Sequence, residues 1–220
     1  MAPGQGDMII RGNNIKDFFD TDVLVITLPF RRSFADPADY QKQISAILCE
    51  SKNVPIVFTS STSVYPDNMP MAFEDAQFVP DNERRQVLAQ VEKDILKRRG
   101  TVVRLAGLYG AGRNIGNFLA GKKELSGGDS PVNLIHQEDA VGILCAVIAQ
   151  RHKVAGEIFN VCTDEHPLKK DLYAAAAKRL NVAAPEFAEE KSSKIKIVTN
   201  EKVKKVLGYQ FIHPDPMKDI

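Results

Sequence analysis

Charge of one sign, paired cysteines and long apolar runs are all scarce in this 220-residue sequence, and each shortage removes a class of function. Twenty-nine Lys and Arg oppose 28 Asp and Glu, which leaves a formal charge of +1. A balance that close supplies no electrostatic footprint for a nucleic-acid partner or an anionic membrane surface. The three cysteines, Cys49, Cys145 and Cys162, are odd in number and widely spaced, which suits neither a disulfide framework nor a zinc cluster. Each sits in an apolar stretch (AILCE, GILCAV, FNVCT), so buried free thiols in a reducing cytoplasm are expected. The opening MAPGQGDMII has no basic flank followed by a long apolar core and does not read as a secretory signal. No apolar run approaches the roughly 20 residues that a membrane-spanning helix needs.

What is present is the patterning of a folded α/β chain. Four short blocks read as buried strands: residues 23–28 (VLVITL), 54–59 (VPIVFT), 101–105 (TVVRL) and 157–161 (EIFNV). They are almost continuously apolar and rich in β-branched residues, as expected of a parallel sheet covered on both faces. Helical patterns lie between them. Residues 37–52 place Tyr40, Ile44, Ile47 and Leu48 on one face after an Asp36 N-cap. Residues 82–99 turn Val87, Leu88, Val91, Ile95 and Leu96 inward and charges outward, ending on Lys97, Arg98, Arg99 and Gly100. Residues 139–150 are apolar nearly all round and should be well buried. Beyond them, 169–180 is an alanine-rich helix, 194–198 alternates like a half-exposed strand, and 200–207 is a short helix closed by Gly208. Alternating strand and helix predicts a doubly wound parallel sheet.

Five motifs then point to a family. FTSSTSVYP at 58–66 resembles the SSxxVYG strand end of extended short-chain dehydrogenases/reductases, the NAD-dependent epimerase/dehydratase family. RLAGLYGAGR (104–113), NLIHQEDA (133–140), GEIFNV (156–161) and the segment 200–209 resemble further family segments in the family's order. The stretch LPFRRS (28–33) together with TSSTSVY resembles an atypical branch. The resemblance implies a Rossmann-like core over 1–112 and 132–165, and a small C-terminal α/β substrate-side lobe over 113–131 and 166–220. It also implies NAD or NADP as cofactor and a nucleotide sugar or related substrate. The charge balance, short apolar runs and free cysteines point to the cytoplasm and to neither nucleic acid nor membrane as partner, and the strand edge at 23–28 points to a homo-oligomer.

Two family features are missing. A Rossmann site needs a glycine-rich turn between the first strand and helix, so that backbone reaches the pyrophosphate at a helix N-terminus. Gly4-Gln5-Gly6 follows no strand, and Gly110 to Gly116 reads as a turn needing unusual backbone angles, not a first dinucleotide loop. The core is therefore expected to lack its first β-α-β unit, with an exposed edge at 23–28 that favours association unless 7–11 or another segment covers it. The second absence is the Tyr-Lys pair, four residues apart, in which a tyrosine acts as acid/base and the lysine lowers its pKa. With Glu92 aligned to the family's Glu, Arg84 stands at the Tyr position and Leu88 at the Lys position. No tyrosine occurs between Tyr65 and Tyr109, so no shift of register restores the pair.

The resemblance assigns Ser61 as the remaining catalytic-site position, although it suits a turn cap equally well. It places Leu28, Pro29, Ser60, Leu108 and Tyr109 against the cofactor, and Tyr65, Arg113 and His136 against substrate. His136 is read as having neither a carboxylate nor a second histidine at ligand spacing, so no metal is expected, and Asp139 is expected to cap the helix after it. Arg104, like Arg113, suits an anionic group, or an internal ion pair because it lies within a strand. Arg31 and Arg32 suit a ligand or a solvated loop. Two functions stay open: an NAD(P)-dependent epimerase, dehydratase or reductase subunit with impaired chemistry, or a non-catalytic nucleotide-binding or sensing protein on the same scaffold.

Overall fold

The computed structural model describes residues 19–30, 36–189 and 194–220. Along the chain these form β1 (Leu24–Ile26), α1 (Pro37–Glu50), β2 (Ile56–Ser61) with a 3-10 turn at Thr62–Val64, and β3 (Met71–Ala72). Next come α2 (Glu83–Lys97), β4 (Thr101–Leu105), β5 (Gly107–Tyr109), α3 (Ile115–Phe118), β6 (Leu134–His136) and α4 (Gln137–Ala149). The chain closes with β7 (Ile158–Val161), α5 (Lys169–Arg179), β8 (Ile197–Val198), α6 (Glu201–Leu207) and a 3-10 turn at Pro216–Lys218.

The four apolar blocks pair as one parallel sheet in the order β1-β2-β4-β7. Leu24 stands opposite Ile56, Val57 opposite Thr101, and Val102 opposite Ile158. The sheet is the Rossmann-like α/β architecture expected. Two small parallel pairs, β3-β8 and β5-β6, flank it. With two or three residues each, they are too short for a periodic pattern to reveal, and the expected strand at 194–198 shrinks to Ile197–Val198. Arg31 and Arg32, the Gly4-Gln5-Gly6 candidate and the edge-covering segment 7–11 lie outside the described residues.

Local chemistry explains the helix boundaries. Asp36 accepts from the Ala38 N–H at 2.8 Å and Pro37 opens α1, which buries Tyr40, Ile44 and Leu48 four residues apart. Asn82 accepts from the Arg85 N–H at 3.0 Å and starts α2. Leu88, Val91 and Ile95 face the sheet as expected, with Val87 and Leu96 at the margin, but Glu92 is buried beside them. At the end of α2 it is Arg99, not the following glycine, that turns left-handed (φ 54°). Gly100 is required for space, because a Cβ there would lie 2.6 Å from Ile95 Cγ2.

Helix α4 differs from expectation in two ways. His136 caps it, its Nδ1 accepting from the Glu138 N–H at 3.3 Å. Asp139 is fully buried and serves the C-terminal segment instead, accepting from Tyr209 Oη, Ile212 N and His213 N at 3.0, 2.8 and 2.9 Å. The physical reason is that β6 runs directly into the helix, which leaves Asp139 within the first turn rather than before it. Nor is α4 buried all round: Val141 is 60% exposed and Cys145 is exposed.

The main core centres on Phe58, Val102, Val103, Ile143 and Phe159, and α6 joins it through Val203 and Leu207. Each such side chain contributes roughly 1.5–3 kcal/mol by leaving water. A smaller cluster gathers Tyr109, Ile115, Leu134, Leu172 and Ala176. No helix among the described residues is long and apolar enough to cross a membrane.

The cysteine expectation is corrected by the same geometry. Cys162 is buried with its thiol 2.9 Å from the Val198 carbonyl, whereas Cys49 and Cys145 lie on the outer faces of α1 and α4 and are exposed. An apolar word in the sequence does not say which face of a helix a residue occupies. Titration of the native protein with a thiol reagent should therefore modify two cysteines rapidly and the third only on unfolding. Burial raises the Cys162 pKa and slows its reaction further.

Candidate ligand-binding cleft

Above the C-terminal ends of β1, β2 and β4 the chain leaves a cavity of about 540 Å³. Open parallel sheets bind ligands at this end, because loops there diverge and leave a crevice. The wall after β1 is Leu28, Pro29 and Phe30, and the end of β2 brings Ser60 and Ser61. Leu108 closes one side, and α2 lays Asn82, Arg84, Arg85 and Leu88 along the other. Seven residues singled out in the sequence therefore meet here: Leu28, Pro29, Ser60, Ser61, Arg84, Leu88 and Leu108.

The remaining four lie elsewhere. Successive residues of a strand point to opposite sides. Along β5, Leu108 enters this cleft while Tyr109 enters a second cavity of about 240 Å³, which Arg113 and His136 also line. Tyr65 lines neither cavity. It is wholly buried, with its hydroxyl 2.9 Å from both Phe73 O and Asn160 Oδ1 and accepting from Arg104 Nη1 at 2.5 Å. Gly110 and Gly112 adopt φ of 125° and 73°, which accounts for the glycines as turn residues.

Within the cleft the polar groups are largely committed. Ser61 Oγ accepts from the Ser63 N–H at 3.1 Å and caps the 3-10 turn, and Ser60 Oγ donates to Glu92 Oε1 at 2.5 Å. Tyr40 donates to the Leu28 carbonyl at 2.9 Å and stacks on Phe30, with ring centroids 4.4 Å apart. Burial pushes its pKa up to about 12. The Arg84 guanidinium lies 3.9 Å from the Phe30 ring centroid and donates to the Phe30 carbonyl at 2.7 Å. Arg85 is held by Asp67 and Asp81, each at 2.5 Å, and by Ser63 O at 3.0 Å.

Tyr40, Arg84 and Arg85 are the ionisable side chains among the described residues lining this cleft. None of them exchanges a proton readily near neutral pH: arginine stays protonated and this tyrosine stays a phenol. Sequence reasoning placed Tyr40 in the core face of α1 and overlooked Phe30 and Arg85. The single available signal was the proximity of Phe30 to the end of β1.

Beneath the cleft runs a buried polar network. Arg104 Nη2 meets Glu92 Oε2 at 2.7 Å, its Nε lies 3.1 Å from both Glu92 oxygens, and the two side chains are 5% and 4% exposed. The internal ion pair, not an external anion, is therefore what Arg104 binds. Burial alone would lower the Arg104 pKa, but Glu92 outweighs it and the net shift is upward. Asn160, on β7, donates from its backbone to Glu74 Oε1 at 2.9 Å, and burial raises the Glu74 pKa.

Relatives sharpen this picture. Protein YeeZ of Escherichia coli (strain K12) is 34% identical over 218 residues, covering 96% of this chain and 78% of its own. The chain belongs to the YeeZ protein family. No family model matches it. The fold is also that of a short-chain dehydrogenase/reductase superfamily protein from Agrobacterium tumefaciens solved with bound NAD (TM-score 0.74, 15% identity, 93% of this chain and 79% of that one). MoeE5 in complex with UDP-glucose and NAD matches similarly (TM-score 0.71, 15% identity, 93% and 80%). At those identities the likeness shows the architecture alone.

Removing one member of the buried pair should be costly. Glu92→Ala leaves an uncompensated guanidinium, and a loss of about 3–5 kcal/mol is expected in urea unfolding. The double variant Glu92→Leu/Arg104→Met should recover much of that loss, since two well-packed apolar side chains leave no buried charge. A Glu92→Ala loss below about 1 kcal/mol, the range of exposed ion pairs, would show that the pair is hydrated in solution.

Proposed function

We propose that the cleft binds the ring-and-sugar end of an adenine dinucleotide or a nucleotide sugar, without the tyrosine–lysine proton relay of short-chain dehydrogenases. What supports this reading is the lining of the cleft: it holds both Arg84 and Leu88, one helical turn apart on α2, the two residues that the resemblance aligns with the relay's tyrosine and lysine. A dehydrogenase of this kind moves a hydride to or from a nicotinamide and a proton to or from a hydroxyl. NAD(P) supplies the hydride chemistry when bound, and the protein must supply the proton. Arginine and leucine do not. The phenol of Tyr40 is fixed to the Leu28 carbonyl.

The residues fit the ligand class in part. Leu28, Pro29 and Leu108 offer apolar surface to a planar ring, and Arg84, stacked on Phe30, brings positive charge to the wall where a phosphate or an anionic sugar would lie. No glycine is among the residues lining the cleft, so the close backbone approach to a pyrophosphate is not provided by them. The fold shared with proteins solved with NAD and with UDP-glucose supports the same ligand class. Non-catalytic binding or sensing is the function favoured. The alternative is an NAD(P)-dependent epimerase, dehydratase or reductase with a proton route of another kind.

Thermal melts with NAD, NADP and UDP-glucose test the proposal. At a hundredfold excess over Kd a ligand adds about 2.7 kcal/mol. For a chain of this size that raises Tm by several degrees, at roughly 2–4 °C per kcal/mol. At least one of these ligands should do so, and Arg84→Ala should reduce the rise by half or more. Absence of any shift sinks the binding claim. Steady nicotinamide turnover on the order of 10 s⁻¹ with any sugar or carbonyl substrate would instead establish the enzyme reading.

A further inference from the structure

We propose that His136, Glu138 and His213 form a binding site for a divalent transition-metal ion of the zinc class, separate from the cleft. The three residues come from two distant segments. His136 and Glu138 open α4, and His213 lies 75 residues beyond Glu138, in the C-terminal segment. One ligand atom from each lies within 4.8 Å of the others. Glu138 Oε2 is 2.9 Å from His213 Nε2 and 4.0 Å from His136 Nδ1. Zinc bonds of about 2.0–2.2 Å set tetrahedral ligand atoms roughly 3.4 Å apart. Bringing all three to one ion takes small movements, and His136 Nδ1 gives up the Glu138 N–H that it accepts in this structure. The Glu138 side chain, 65% exposed, is free to make them.

The surroundings are built as a metal site's would be. Metal-bound histidines usually donate their second ring N–H to a carboxylate, which fixes the tautomer and the ring's aim. His213 Nδ1 lies 2.9 Å from Asp219 Oδ1, so Nε2 is the nitrogen left facing Glu138. Asp219 is held in turn by Tyr109, whose hydroxyl donates to Oδ2 at 2.6 Å. The backbone of His213 is pinned by Asp139, and its ring lies against that of His136 with centroids 3.6 Å apart. Two imidazoles and one carboxylate suit zinc or cobalt and not magnesium or calcium, which prefer oxygen shells. Three protein ligands also leave a coordination position open, as in catalytic rather than structural sites. The cavity lined by Tyr109, Arg113 and His136 adjoins it. Sequence reading set a metal aside because it saw neither a carboxylate nor a second histidine at ligand spacing; it passed over Glu138, two residues on, and no second histidine stood near His136. The fold supplies one.

Titration of the full chain with Co(II), followed by visible absorption, and with Zn(II) by calorimetry tests this. One ion per chain is expected at micromolar affinity or better, undisturbed by millimolar Mg(II). His213→Asn and Glu138→Gln should each weaken binding at least tenfold, and Asp219→Asn by roughly 10–100-fold through the orientation of His213. Unchanged melting and circular dichroism would establish that these variants remain folded. Three results would overturn the proposal: no saturable binding, binding unaltered in folded His213→Asn and Glu138→Gln, or a thiolate-to-cobalt charge-transfer band. The last would place the ion on exposed Cys49 or Cys145.

Discussion

The Glu92–Arg104 ion pair is the constraint on which the rest of this structure depends. Arg104 lies in the middle of a parallel sheet, where an unpaired guanidinium would be severely destabilising. Glu92 meets that requirement from α2, and in doing so fixes the rotation of the helix over the sheet. Positions 84, 88 and 92 are four residues apart and share one stripe of the helix. Once Glu92 points down to Arg104, Leu88 and Arg84 are carried along the same stripe toward the mouth of the cleft. The same carboxylate accepts from Ser60 at the end of β2, so helix, strand end and cleft floor are set by one group. The lining of the cleft is thus a consequence of a buried charge beneath it.

The elements that sequence patterning located well are those whose burial is repetitive. Continuous apolar blocks found the four central strands to within two residues at each end, and the stripe Tyr40, Ile44 and Leu48 found α1. Singular features resisted the same reasoning. Glu92 stands on the inward face of α2 because of a partner twelve residues later, and no periodicity carries that information. Cys49 and Cys145 looked apolar by their neighbours and are exposed by their angular position. Asp139 resembled a cap, and is drawn instead to two backbone N–H groups more than seventy residues away.

The candidate site was legible to a similar degree and for a similar reason. Leu28, Pro29, Ser60, Ser61 and Leu108 were brought together in one crevice at the C-terminal edge of the sheet, and Tyr109 and His136 in another. Tyr65 was not, because it follows the 3-10 turn after β2 and drops beneath the cleft into the Arg104 network. Its phenol, compressed between an arginine and an asparagine, cements the floor. A tyrosine next to the motif is thus part of the buried polar network and not of the cleft surface.

Strand alternation accounts for the last division. Leu108 and Tyr109 are adjacent, yet β5 sends one toward the cleft and the other toward the histidine cluster. Tyr109 donates to Asp219 and so belongs to the support of His213, while its neighbour remains an apolar wall. The two cavities therefore share one strand but not one set of groups. On the cleft side the ionisable side chains are arginines and a locked phenol. On the far side of β5, histidines and carboxylates converge within hydrogen-bonding reach. Imidazoles and carboxylates therefore gather on one side of the strand, and apolar wall with arginines on the other.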